Sequence, residues 1–195
     1  MAEGVRERGK ARRREAILRA AYKLFEERGF DATTVADVAE AAEVSPRTVT
    51  LYFPTKLDLA TSRLEEFTGQ LSRALAERDE GLSTLGALEA WLRQHLAESD
   101  ETAELDMLWD RMIDRNPQLR AIANSRFTQV IQNGARIFAA ERGADPDSFA
   151  PRMVAAASAA VVAEVCLNHP MQESIDSAIA FLVGGIAALP AGSLD

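Results

Sequence analysis

The period of the apolar residues constrains this chain more than any other feature. Apolar side chains recur at three- and four-residue spacing along its whole length, and no stretch of four or more residues alternates apolar with polar convincingly between turn signals. That spacing lays an apolar stripe along a helix, whereas a half-buried strand needs period two. The β-branched residues do not cluster between turn signals either. The chain is therefore expected to be all-α, with about nine helices.

Helix punctuation divides it further. Ile17, Leu18, Ala21, Leu24 and Phe25 form the stripe of a first helix from about Arg12 to Arg28, stopped by Gly29. A short second helix runs from Val35 to about Ala42, with Thr34 as cap and Asp37 three residues on. After a tight turn at Glu43 and Val44, Ser45 caps a third helix that has Pro46 in its first position and ends near Phe53. Thr55 and Asp58 repeat the capping box for a fourth helix reaching about Arg78. Further helices are expected over 84–98, 102–115, 117–142, 148–167 and 172–188, with Pro151 in a first turn, where it is tolerated. Asn168 and His169 read as loop, and residues 191–195 as a tail.

A chain of 195 residues makes one domain or two small ones. A single cysteine, Cys166, excludes a disulfide framework and any multi-thiolate metal site within one chain. The first residues lack the apolar core of a signal peptide, and no apolar run approaches about 18 residues, so a cytoplasmic protein without a membrane span is expected. The net charge of −8 hides an asymmetry. Residues 1–56 sum to +2 and residues 57–195 to −10, and Arg6, Arg8, Lys10, Arg12, Arg13 and Arg14 form a basic arm at the start. Local charge decides phosphate binding, so an acidic total does not exclude nucleic acid.

Residues 34–53 have the spacing of a helix-turn-helix. Arg47, just after the cap, is a bidentate donor suited to guanine O6 and N7. Thr48 and Thr50 suit phosphate or a thymine methyl, and the Tyr52 hydroxyl suits phosphate. Lys56 opposes the dipole at the start of the fourth helix, a local cost that a phosphate partner would explain. Val35, Val38, Ala39, Val44, Val49 and Phe53 read as the mini-core beneath.

Residues 13–56 resemble the DNA-binding domain of the TetR family of bacterial transcriptional regulators. The likeness lies in the A-x-x-L-F-x-x-x-G-F-x-x-T-T run, the V-A-x-x-A-x-V-S core and the closing Y-F-P-T-K. It implies a three-helix DNA-binding domain over 1–56 and a helical effector-binding and dimerisation domain over 57–195. It further implies DNA contacts from Arg13, Thr34, Ser45, Pro46, Arg47, Thr48, Thr50, Tyr52 and Lys56. One departure stands out: relatives carry a tyrosine where this chain has Thr50, which leaves Tyr52 as the phosphate-contacting aromatic.

The expected function is thus a repressor that binds a palindromic operator on double-stranded DNA as a homodimer and is released by a small, largely apolar effector. The last two helices are rich in small residues, over 155–160 and 184–188, and suit the dimer interface. Trp91, His95, Trp109, Met112, Phe127, Ile131, Met153 and Glu164 are the polar or polarizable groups on apolar faces, and so the candidate effector pocket; core packing and, for Glu164, a solvated edge are the competing readings. Residues 116–120 and 143–152 are similar to an actinobacterial branch of these regulators, some of which respond to acyl-coenzyme A thioesters, although the acidity of this part disfavours a highly anionic ligand. Control by a protein partner is the alternative. No enzyme motif is present: the two histidines form no H-x-x-x-H pair, and no phosphate-binding glycine loop occurs. Asp106, Asp110 and Asp114 recur at four-residue spacing with arginines between, which reads as a solvated face rather than a metal site. No cofactor and no metal are expected.

Overall fold

A computed structural model describes residues 2–98, 103–168 and 172–187. Among them every regular element is helical: α1 (Ala2–Arg28), α2 (Val35–Ala41), α3 (Pro46–Tyr52), α4 (Lys56–Ala76), α5 (Thr84–Glu98), α6 (Ala103–Arg115), α7 (Pro117–Arg142), α8 (Phe149–Ala163) and α9 (Gln172–Ala187). A π-helical turn, Glu164–Asn168, follows α8. Asn168, expected in a loop, therefore ends this turn. His169 and the tail lie outside the described residues.

The caps form as the sequence anticipates. Thr34 and Asp37 close a reciprocal capping box on α2. Thr55 and Asp58 do the same before α4, each accepting the other's backbone N–H at 3.0 Å. Ser45 accepts the Thr48 N–H at 3.1 Å. Gly29, Gly81 and Gly143 hold positive φ, as does Glu43 at φ 54° in the turn between α2 and α3. The largest difference is at the start: α1 begins at Ala2, not near Arg12. The arm offers no apolar stripe, but Ala, Glu, Arg and Lys are strong helix formers and extend the helix on propensity.

The chain divides into two compact units, residues 1–65 with 102–123, and residues 66–101 with 124–195. The boundary of the motif, near residue 56, is thus not the boundary of compactness: α6 belongs with α1, against which it packs.

In the first unit Ile17, Leu18, Tyr22 and Phe25 of α1 meet Val38 and Ala39 of α2, Val49 of α3, Phe53, Leu59 of α4, and Leu105, Leu108 and Met112 of α6. Two buried polar groups organise this core. Thr33, fully buried, donates to the Gly29 carbonyl at 2.9 Å and the Leu24 carbonyl at 3.3 Å, closing the end of α1. Asn116, also buried, accepts the Phe30 N–H at 2.7 Å and donates to the carbonyls of Phe25 at 2.9 Å and Met112 at 2.7 Å.

The aspartates of α6 go separate ways. Asp106 pairs with Arg63 and Asp114 with Arg120. Asp110, half-buried, has its carboxyl pushed above the usual range by burial and then by the charges of Asp106 and Asp114. A carboxyl raised on folding stabilises the fold when protonated, and that contribution is lost as pH rises through the folded value. Asp110→Asn should therefore raise the thermal midpoint at pH 7, and the gain should shrink towards pH 4. A gain that is constant with pH would show that the charge of Asp110 is not the cause.

In the second unit α9 packs against α5 and α8. Its core joins Leu71 and Leu75 of α4, Leu88, Trp91 and Leu92 of α5, Val162 of α8, Val165, and Ile175 and Leu182 of α9. Glu141 accepts the Thr84 N–H at 2.6 Å and the Thr84 hydroxyl. Burial opposes ionisation there, but those two bonds, with Arg78 and Arg142, hold the carboxyl below its usual range. Burial pushes the Cys166 thiol up to about 12, so it stays protonated.

One window differs from the expectation about membrane spans. Phe149–Cys166 is long and apolar enough to cross a membrane by length and composition, with a mean hydropathy of 1.5 over 18 residues. Its alanines and valines raise the mean although Arg152 and Glu164 interrupt it. A third of it is buried in the unit.

Candidate nucleic-acid interface and apolar cavity

The seven residues of α3 present two unlike faces. Val49 is buried, as is Phe53 just beyond the helix, and both anchor α3 in the core of the first unit. Pro46, Arg47, Thr50 and Leu51 are exposed, and Tyr52 is half-buried. The hydroxyls on this helix are held by the protein itself. Those of Ser45 and Thr48 stand 2.8 Å apart, and the Thr50 hydroxyl donates to the Arg47 carbonyl at 3.1 Å. Arg47 is exposed and has no ion-pair partner among the described residues.

Thr34 is exposed, but its hydroxyl donates to Asp37 at 2.7 Å, and its N–H does the same. These bonds, the hydroxyl's first, hold the Asp37 carboxyl below its usual range. Arg13 is exposed on α1 and, with Arg6 and Lys10, lines an open concavity that Leu51 and Tyr52 close on the other side. Arg14 lies over the Phe53 ring, 5.2 Å from its centre.

Lys56 finds an unexpected set of partners. Its ammonium donates to the carbonyls of Phe30 at 2.8 Å, Thr33 at 3.0 Å and Asp31 at 3.4 Å, and it sits 4.3 Å from the centre of the Phe30 ring. The cost of a cation at the start of α4 is thus offset inside the protein, by the segment that delivers the chain into α2, and needs no phosphate to explain it.

The second unit contains an apolar cavity of about 50 Å³. Leu71 and Leu75 of α4, Leu85 and Leu88 of α5, Val130, Ile131, Gly134 and Phe138 of α7, and Val154, Ala155, Ser158, Ala159 and Val162 of α8 line it, with Thr84. Among the described residues no charged side chain lines it. Thr84 is occupied by Glu141, which leaves the Ser158 hydroxyl as the polar group open to the cavity.

Of the eight side chains expected to form a pocket, Ile131 lines this cavity. Met112 is fully buried in the first unit, and Trp109 donates its indole N–H to the Ala60 carbonyl there at 3.2 Å. Their spacing marked a buried face correctly, but α6 turns that face towards α1. Trp91 and His95 stack at 4.9 Å with Phe67 edge-on to both, and they line a separate open groove with Gln70, Arg73, Glu77 and Gln94 rather than the cavity. Met153 points outward at 36% exposure, Glu164 is exposed, and half-buried Phe127 is not among the lining residues. The residues that do line it, chiefly Leu and Val, carry no signal separating a cavity wall from a core. Among the described residues no group of three or more His, Cys, Asp or Glu is placed to hold a metal ion.

Comparison with known proteins agrees with this geometry. The family model described as bacterial regulatory proteins, tetR family, matches residues 17–62, and the one described as MftR C-terminal domain matches residues 82–189. The HTH-type transcriptional regulator TcmR of Streptomyces glaucescens is 33% identical over 165 residues, covering 81% of this chain and 73% of that protein. NalD, the secondary repressor of the MexAB-OprM multidrug efflux pump in Pseudomonas aeruginosa, is 21% identical with a TM-score of 0.57, over 91% of this chain and 96% of that one. A TetR-family regulator from Streptomyces coelicolor is 26% identical with a TM-score of 0.52, over 92% of this chain and 95% of that one.

Proposed function

This chain belongs to the TetR family of bacterial regulatory proteins and is a DNA-binding regulator of transcription, and from that premise we propose that it is a cytoplasmic, ligand-responsive repressor. It binds a palindromic operator as a homodimer and is released by a small, uncharged, largely apolar effector. The observation that carries this reading is α3 itself: a capped helix whose buried face fixes its position and whose outer face leaves Arg47 unpaired.

In this role α3 enters the major groove and Arg47 reads a guanine. Pro46 and the exposed Thr50 approach the bases beside it. Ser45 and Thr48 hold the first turn rigid, and the Tyr52 hydroxyl and the first turn of α2 at Thr34 meet phosphates. Arg13 and its neighbours in the arm add sequence-independent attraction. Lys56 acts indirectly, by fixing the loop ahead of α2. One such helix reads a few base pairs, so two copies are needed, spaced about 34–36 Å or a multiple of that. The interface we assign to α8 and α9 is supported by their exposed apolar surface, including Phe181 at 67% and Val183 at 50% exposure beside Gly184 and Gly185.

The effector acts by differential affinity. At about 50 Å³ the cavity holds no more than a water or two, so a ligand binds best to a state in which the walls from α7 and α8 stand further apart. If operator-bound protein keeps the cavity closed, the two ligands exclude one another by linkage. The absence of Lys and Arg from the wall argues against an acyl-coenzyme A or other anionic effector.

Selection from a random duplex pool, sequenced at two salt concentrations, tests the reading. The expected product is a palindrome, and Arg47→Ala should cost ~1–3 kcal/mol of binding and relax one base pair in each half-site. Binding that is salt-sensitive yet enriches no sequence would sink the operator role, and unchanged binding by Arg47→Ala would remove that residue from the site.

A further inference from the structure

We infer that Leu51 is a specificity-determining residue that reads the C5-methyl group of a thymine in each operator half-site. The inference rests on the operator-reading role proposed for α3 and adds a second reading group to it. Leu51 is 82% exposed, more than any other large apolar side chain among the described residues. A single exposed leucine is ordinary in itself. Its position is not ordinary: it lies four residues from Arg47, on the same face of a helix whose other face is anchored by Val49.

The chemistry of that face narrows what Leu51 can meet. The Thr48 hydroxyl is engaged with Ser45 and the Thr50 hydroxyl with the Arg47 carbonyl, so neither is the leading donor to a base. Beside the smaller apolar surfaces of Pro46 and the Thr50 methyl, the two groups that reach furthest are the Arg47 guanidinium and the Leu51 isobutyl group, a helical turn apart. Four residues of helix rise about 6 Å, close to two base-pair steps. The major-groove edges of the bases carry one apolar group, the thymine methyl. A guanine and, about two steps away, a thymine are therefore the pair that this face matches.

The test uses the intact protein and the palindrome enriched from the random pool, with each thymine replaced in turn by deoxyuridine, which removes the methyl and leaves every hydrogen bond in place. For the unmodified protein one symmetric pair of thymines should be sensitive, losing roughly fourfold in affinity per half-site, the effect expected for one buried methyl, and about fifteenfold for both. Leu51→Ala should bind the thymine and deoxyuridine duplexes equally at that pair while keeping its thermal midpoint, and Leu51→Met should restore the discrimination. Tolerance of deoxyuridine at every position, or discrimination that survives in Leu51→Ala, would overturn the inference and leave the operator role standing. A pool that yields no enriched sequence would overturn the operator role, and this inference with it.

Discussion

Asn116→Ala should destabilise the protein by about 2–4 kcal/mol, a large part of the ~5–15 kcal/mol that holds a typical domain folded. The side chain is 2% exposed and ties the last turn of α6, at Met112, to the end of α1 at Phe25 and the loop at Phe30, 91 and 86 residues away. Alanine leaves the half-buried Phe30 N–H without its acceptor and takes a donor from two carbonyls. The Phe25 carbonyl keeps its bond from the Gly29 N–H at 3.1 Å, so the loss is smaller than three full hydrogen bonds. Asn116→Asp keeps the shape and the acceptor but replaces the donor with a carboxylate that must be buried or protonated, so it should be at least as damaging at pH 7 and partly relieved in acid. Urea titration measures both. A midpoint within the error of the parent for Asn116→Ala would mean that water or backbone takes over these bonds.

Neutralising the arm should have the second large effect, this time on DNA. Arg6, Lys10 and Arg13 line one concavity against Leu51 and Tyr52, on a helix that continues without a break into the core. A helical arm presents its cations in fixed register, whereas a loose one would have to be ordered on binding. If each meets a phosphate, replacing all three by alanine should flatten the slope of log affinity against log salt by about 2.7 per protomer. The sequence preference should survive, because phosphates position and bases specify. An unchanged slope would show that these cations remain hydrated beside the DNA.

Local chemistry made the reading helix legible. Each cap is a contact within four residues, so Thr34 with Asp37, Ser45 with Thr48 and Thr55 with Asp58 could be paired before any tertiary structure was known. The start of α1 was less legible because an arm without apolar residues offers no period, only propensity. The cavity was not legible. An apolar helix face reads the same whether its partner is a neighbouring helix or a space, and Met112 and Trp109 look like pocket residues until α6 is seen to pack on α1. Asn116 and Lys56 hide their long-range partners for a related reason. Each is polar, and each finds buried or half-buried carbonyls 23 to 91 residues away, which no local pattern encodes.

Anchoring α3 by one face and reading with the other separates two kinds of change. Substitutions at Val49 or Phe53 strike the core, whereas Arg47, Thr50 and Leu51 are exposed and can vary at little cost to the fold. If those positions read DNA as proposed, descendants of a duplicated gene could drift to new binding sequences through them alone, keeping the scaffold, and the specificities of sister regulators would diverge faster than their architectures.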